Sequence, residues 1–164
     1  MSEARDYCFL SDFDGDGSIV NRANEVVWRF RTTGLKYRAA EQTSGSPVFA
    51  FCDPEERELL TIMRPRRLPL ARFVLIEDGL PVGTIRQRSI LFNRYTIESD
   101  SGWRCVLHMP LFTTSFRAAT EVGAEVRIAV RTLREWYVRI TEGFDSVHLM
   151  ASLAFLTRKR IQCT

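Results

Sequence analysis

Three aspartates at alternate positions, Asp12, Asp14 and Asp16, are followed by Gly17 and, two places on, by Ile19. This is the front half of a calcium-binding loop, which takes oxygen ligands at positions 1, 3, 5, 7 and 9 and a bidentate glutamate at 12. Counted from Asp12, positions 1, 3, 5 and 6 fit and Ile19 suits the apolar position 8, but position 12 is Ala23. No helical pattern flanks the segment. It therefore reads as a Gly/Asp turn joining the first two strands, with Asp12, Asp14 and Asp16 as its metal candidates and no metal or cofactor expected.

Residues for covalent or acid–base catalysis are sparse. The two histidines are His108 and His148. On "WRCVLHM" His108 points to the opposite face from Cys105, so a Cys/His pair would need a neighbouring strand. His148 lies within an apolar stretch, where a hydrogen-bonded structural role is expected. The serines and carboxylates have no acyl- or phosphoryl-transfer spacing, and no glycine-rich phosphate loop is present. The chain reads as a non-enzyme.

The remaining chemistry is cationic. "MRPRRLPLAR" carries Arg64, Arg66, Arg67 and Arg72, and the next expected strand adds Arg86 and Arg88. Pro65 and Pro69 make the run a stiff connection, and Leu68 and Leu70 lie beside the arginines. Such a surface suits an anionic lipid headgroup and the interface beneath it. It also suits a solvated loop that keeps a barrel rim soluble. Arginine outnumbers lysine twenty-one to two. That bias fits phosphate recognition by the guanidinium fork, and it equally fits arginine-rich codon usage. A net charge of +3 is too small for a dedicated nucleic-acid binder.

The elements that must position these residues are mostly strands. Val126, Ile128 and Val130 alternate with Arg127, Ala129 and Arg131; Trp136, Val138 and Ile140 alternate with Glu135, Tyr137 and Arg139. Val26, Trp28 and Phe30 likewise oppose Val27, Arg29 and Arg31. Period two with arginines on one face predicts half-buried antiparallel strands. Further strands are expected at Tyr7–Leu10, Ser18–Asn21, Lys36–Ala40, Pro47–Cys52, Glu58–Arg64, Arg72–Glu77, Val82–Arg88, Tyr95–Glu98, Trp103–Met109 and Ser115–Ala119. Turn residues such as Asp53-Pro54, Asp78-Gly79 and Asp100-Ser101-Gly102 separate them. Two stretches, "VFAFCDPEERELLTI" and "RFVLIEDGLPVGTI", echo one another as strand, turn and strand.

One segment breaks the pattern. "DSVHLMASLAFLTRKR", from Asp145, is rich in Leu, Met and Ala, with Asp145 placed to cap a helix and Arg158, Lys159 and Arg160 at its negative end. The helix is apolar nearly all round, which implies burial on every side, and its apolar run is far shorter than the ~20 residues of a membrane span. About a dozen strands and one such helix have an economical solution, a closed antiparallel barrel with the helix along its centre.

The remaining totals suit that architecture. A chain of 164 residues, 26% of them charged, fits one globular domain. Residues 1–6 are expected as a flexible tail and residues 7–164 as the barrel. Cys8, Cys52, Cys105 and Cys163 are far apart, so neither a disulfide framework nor a zinc module is indicated. "MSEARDYCFL" lacks the pattern of a signal peptide, which points to the cytoplasm.

On "FAFCDPEERELLTIMR" (49–64), "RFVLIEDGLPVGTIRQR" (72–88) and the terminal apolar helix, the chain resembles the tubby-like superfamily, in its branch of phospholipid-scramblase and LURP-one-related proteins. The resemblance implies a twelve-stranded closed barrel threaded by its C-terminal helix. Activities in that superfamily are diverse, including phosphoinositide binding and calcium-dependent lipid movement, so it constrains function poorly. The chain lacks the palmitoylated cysteine cluster and longer apolar tail of membrane scramblases. Three readings result. The first is a module binding anionic phospholipid at a membrane surface through Arg64, Arg66, Arg67, Arg72, Arg86 and Arg88. The second is a structural domain holding a protein partner, and the third is a calcium-responsive lipid binder.

Overall fold

The computed structural model describes residues 3–12, 16–32, 46–64, 72–89, 94–109, 115–120, 123–132, 134–144 and 146–162. Twelve strands come first: β1 (Ala4–Ser11), β2 (Gly17–Asn21), β3 (Val26–Arg31), β4 (Ser46–Cys52), β5 (Glu58–Arg64), β6 (Arg72–Glu77), β7 (Leu80–Ser89), β8 (Arg94–Ser99), β9 (Arg104–His108), β10 (Ser115–Thr120), β11 (Glu125–Thr132) and β12 (Glu135–Thr141). Helix α1 (Val147–Gln162) follows them. Each strand pairs antiparallel with its neighbours in sequence, and β1 pairs with β12 from Ala4↔Thr141 to Leu10↔Glu135, closing the barrel. Closure leaves no sheet edge open for pairing with another chain. The expected strand at Lys36–Ala40 and the expected helix cap Asp145 lie outside the described residues.

Alternation produces this wall directly. In β12 Trp136, Val138 and Ile140 are buried while Tyr137 and Arg139 are exposed, and β9, β10 and β11 repeat the pattern. The β6–β7 hairpin turns on Asp78 (φ 51°) and Gly79 (φ 78°). Two successive positive φ values make a turn whose twist matches paired strands, which is why Asp-Gly is favoured there. The echoing β4–β5 hairpin turns differently, through a longer loop in which Asp53 accepts from the backbone N–H groups of Glu55 and Arg57.

Two expectations shift. β1 starts at Ala4 and so takes in residues 4–6, because Arg5 pairs with Glu142 at 2.7 Å and Asp6 with Arg139 at 2.7 Å. In β3 the register slips between Ile19↔Trp28 and Val20↔Val26. That bulge turns Val27 towards the core instead of leaving it on the arginine face.

Helix α1 fills the barrel. Every residue from Leu149 to Arg158 is buried, so no face of those nearly three turns meets solvent. Phe155 packs edge-on against Phe49 of β4 and Phe73 of β6, with centroids 5.6 and 4.7 Å away. The Ser152 hydroxyl donates to the His148 carbonyl at 2.7 Å, which keeps a polar group satisfied inside the barrel. Ser146 caps the helix: its hydroxyl accepts from Leu149 N–H at 3.3 Å and its carbonyl from Met150 N–H at 2.9 Å.

The helix defines two mouths. At the entry mouth His148, in the first turn, lies between Glu77 at the end of β6 and Ser99 at the end of β8. At the exit mouth Arg158 reaches Ser11, the last residue of β1.

Candidate anion-binding site

Of the arginines read from the sequence, Arg64, Arg72, Arg86 and Arg88 lie at the exit mouth, where β5 ends, β6 begins and β7 ends. Arg72 and Arg86 are direct cross-strand partners on the outer face. Both are half-buried, and the Nε of each is shielded from solvent without a hydrogen-bond partner. A buried donor without an acceptor is costly, and here two such donors lie side by side. Arg88 is already engaged: its Nε donates to Thr96 Oγ1 at 3.1 Å and its Nη2 lies 3.7 Å from Glu98. Arg64 ends β5 and is exposed. Arg66 and Arg67 lie outside the described residues. Of the six arginines, then, the fold sets Arg72 against Arg86 and turns Arg88 to internal partners.

The register brings together further basic residues that the sequence reading did not connect. Arg94 faces His108, His108 faces Arg117, Arg117 faces Arg127 and Arg127 faces Arg139. All five side chains lie on the outer face. The row starts at the exit mouth with Arg94 and descends the wall to Arg139, near the other end of the barrel. Across β10–β12 it borders a depression of about 550 Å³ whose lining includes Arg117, Arg127 and Arg139. The alternating arginines were visible in the sequence, but their alignment into one row depends on register.

The aspartate loop is organised from within. Asp12 Oδ1 accepts from Asp16 N–H at 3.1 Å, and Asp16 Oδ1 accepts from Thr32 N–H at 3.1 Å. Arg158 donates from the barrel interior to the Ser11 hydroxyl and to the Asp12 carbonyl. Burial pulls its guanidinium below the ordinary value, while the Asp12 and Asp16 carboxylates pull it back up. The charge expected to stabilise a helix end therefore reaches this loop. Asp14 lies outside the described residues, and those described hold no cluster of three metal-ligating side chains.

Gly17, at the place of the calcium loop's turn glycine, has no positive φ. A Cβ there would overlap the Leu10 carbonyl and the Phe30 ring. Its smallness serves packing at the start of β2.

The nucleophile and imidazole candidates are held in structural contacts. Cys105 is fully buried, and burial pushes its thiol up to about 12. A thiol held protonated in that way is a poor nucleophile. His148 is hydrogen-bonded at both ring nitrogens, Nδ1 to Ser99 Oγ at 3.2 Å and Nε2 to Glu77 Oε2 at 2.8 Å. Ser99 Oγ also meets Ser101 Oγ at 2.9 Å.

The class defined by this geometry is a closed twelve-strand antiparallel barrel around a single helix. The fold is similar to that in the X-ray structure of a protein from Arabidopsis thaliana, AT5G01750, with a TM-score of 0.60 and 9% sequence identity over 94% of this chain and 90% of that one. Likeness at that identity concerns the fold alone. No family model and no curated protein matches the chain.

Proposed function

We propose that the protein is a tubby-like, scramblase-like barrel that binds anionic phospholipid headgroups at its exit mouth without catalysing a reaction. The observation that carries this reading is the Arg72–Arg86 pair, two adjacent guanidinium groups whose Nε donors lack partners. A headgroup phosphate meets the outer ends of the two half-buried guanidinium groups, whose forks match its oxygens. Arg64 adds charge at the same rim. Among the described residues no helix is long and apolar enough to cross a membrane, and the reading is of peripheral attachment at a membrane surface.

The partner-protein reading receives less support. Among the described residues the exposed large apolar side chains are Leu10, Leu80, Val106 and Tyr137, on four different strands. Leu10 and Tyr137 are diagonal neighbours on the paired strands β1 and β12, and Leu80 and Val106 stand apart from them, so the four do not form the contiguous patch of several hundred Å² that a protein interface needs. A catalytic reading would have to use Ser99, His148 and Glu77, but Ser99 is only 7% exposed and its hydroxyl is committed to two neighbours.

Co-sedimentation with phosphatidylserine vesicles at low and high salt tests the proposal. Binding should fade as salt rises, and Arg72→Ala/Arg86→Ala should weaken it about 30-fold, at roughly 1 kcal/mol per arginine. Wild-type protein left in the supernatant at low salt would remove the lipid reading.

A further inference from the structure

The outward row Arg94, His108, Arg117, Arg127 and Arg139 poses a question separate from the rim. Like charges directly opposite one another destabilise an antiparallel sheet. Here Arg117 faces Arg127, and Arg127 in turn faces Arg139. The compensation is partial. Asp6 takes Arg139 in a two-pronged pair at 2.7 and 3.2 Å. Glu125 meets Arg127 at 3.3 Å, with both side chains more than half exposed. Arg94 and Arg117 have no ion pair among the described residues. Four arginines against two carboxylates leave the row positive, at a cost to the free protein.

The row's shape narrows what could balance it. Five adjacent strands at ~4.8 Å spacing set Arg94 and Arg139 about 19 Å apart along the wall. A single phosphate can bridge two neighbouring guanidinium groups and leaves the rest of the row unmatched. A flat membrane touches a convex barrel along a narrow strip, and a membrane capping the exit mouth would not follow the row down to Arg139. A single strand of nucleic acid would want a series of aromatic platforms for its bases, yet the exposed aromatic beside the row is Tyr137. What fits is a flexible chain of phosphoryl groups without bases.

We propose that this row is a track for linear polyphosphate, which lies across β8–β12 and settles into the depression beside Arg117, Arg127 and Arg139. Each guanidinium takes successive phosphoryl oxygens, and the exposed ends of Arg94 and Arg117 supply the uncommitted charge. The track approaches the lipid-binding rim only at Arg94, which pairs with Ser89 at the end of β7, and Arg117, Arg127 and Arg139 lie away from it, so either site can fail without the other.

Fluorescence polarisation of the full chain with labelled inorganic polyphosphate tests the track, with orthophosphate at equal total phosphate, oligothymidylate and phosphatidylserine vesicles as parallel ligands. Polyphosphate should bind more than about tenfold tighter than orthophosphate per phosphoryl group, with affinity falling steeply as salt rises. Arg117→Gln/Arg127→Gln should weaken polyphosphate binding about 30-fold and leave vesicle binding unchanged. The same variant should be at least as stable as wild type in urea, because it removes a like-charge contact. Arg72→Gln/Arg86→Gln should keep polyphosphate binding within about twofold, well under the effect of one lost surface contact. Equal affinity for orthophosphate and polyphosphate, an unaffected wall variant, or tighter binding of oligothymidylate would each overturn the proposal. Loss of vesicle binding in the wall variant would do the same, by assigning the row to lipid.

Discussion

Arg158 and Ser11, 147 positions apart in sequence, meet at the exit mouth, where the guanidinium of the central helix donates to the hydroxyl ending β1. The contact ties the core to the wall and holds the Asp12–Asp16 loop from inside. Arg158→Gln removes a charged donor from a buried position and should destabilise the protein by roughly 1.5–3 kcal/mol. Urea unfolding followed by tryptophan fluorescence measures the loss. An unchanged midpoint would mean that the contact contributes nothing.

The same contact bears on calcium. Asp12 and Asp16 each give one carboxylate oxygen to a backbone N–H, and the Arg158 guanidinium stands beside them. Calorimetry should therefore detect no calcium binding with a dissociation constant of ~10 µM or tighter, the range of regulatory sensors. A dissociation constant in that range would restore the calcium-responsive reading.

Gly17→Ala should destabilise the barrel by about 1–3 kcal/mol, as overpacking of a filled core does. The added methyl would meet the Leu10 carbonyl and the fully buried Phe30 ring. A variant of wild-type stability would show that the β2 backbone can retreat.

Leu153 is completely buried inside the ring of strands. An aspartate there has no cation to pair with and would cost several kcal/mol, so Leu153→Asp should yield no soluble folded protein. A folded, soluble variant would place the helix elsewhere.

Asp6 gives a pH signature. The hydrogen bond from Arg139 holds its carboxyl below the usual value, with a smaller opposing effect of burial. A depressed carboxylate contributes stability above its unfolded pKa of about 4, and that contribution disappears as pH falls through the lower folded value. The urea midpoints of wild type and Asp6→Asn should therefore differ at pH 7 and converge as pH falls below the lowered folded value. A difference that does not vary with pH would show that the pair acts through packing alone.

Strand identity was legible because period two survives in short segments. Val126 and Ile128 against Arg127, or Trp136 and Val138 against Tyr137, announce inner and outer faces before any partner is known. Register was not legible. The row from Arg117 to Arg139 depends on how the 120–125 turn and a bulge between Val130 and Thr132 align β10, β11 and β12. The inward course of Arg158 was hidden for a related reason. A cation in the last turns of a helix ordinarily serves the dipole, and only the position of Ser11 across the lumen reveals its second role. Asp145 lies outside the described residues, and among those described Ser146 caps the first turn, its hydroxyl accepting from Leu149 N–H.

The order of elements along the chain has a consequence for synthesis. The helix that fills the lumen follows all twelve strands, and β1 closes only against β12. At ~5–20 residues per second, β1 must wait on the order of ten seconds after translation for its partner to be made. During that interval the growing wall has an unpaired edge and an empty, apolar concave face that Leu149, Met150, Leu153 and Phe155 have not yet reached. An open edge and an uncovered apolar face of that kind are what makes a partly folded chain prone to aggregate. Completion of the barrel is a single late event in which the last strand and the helix arrive together.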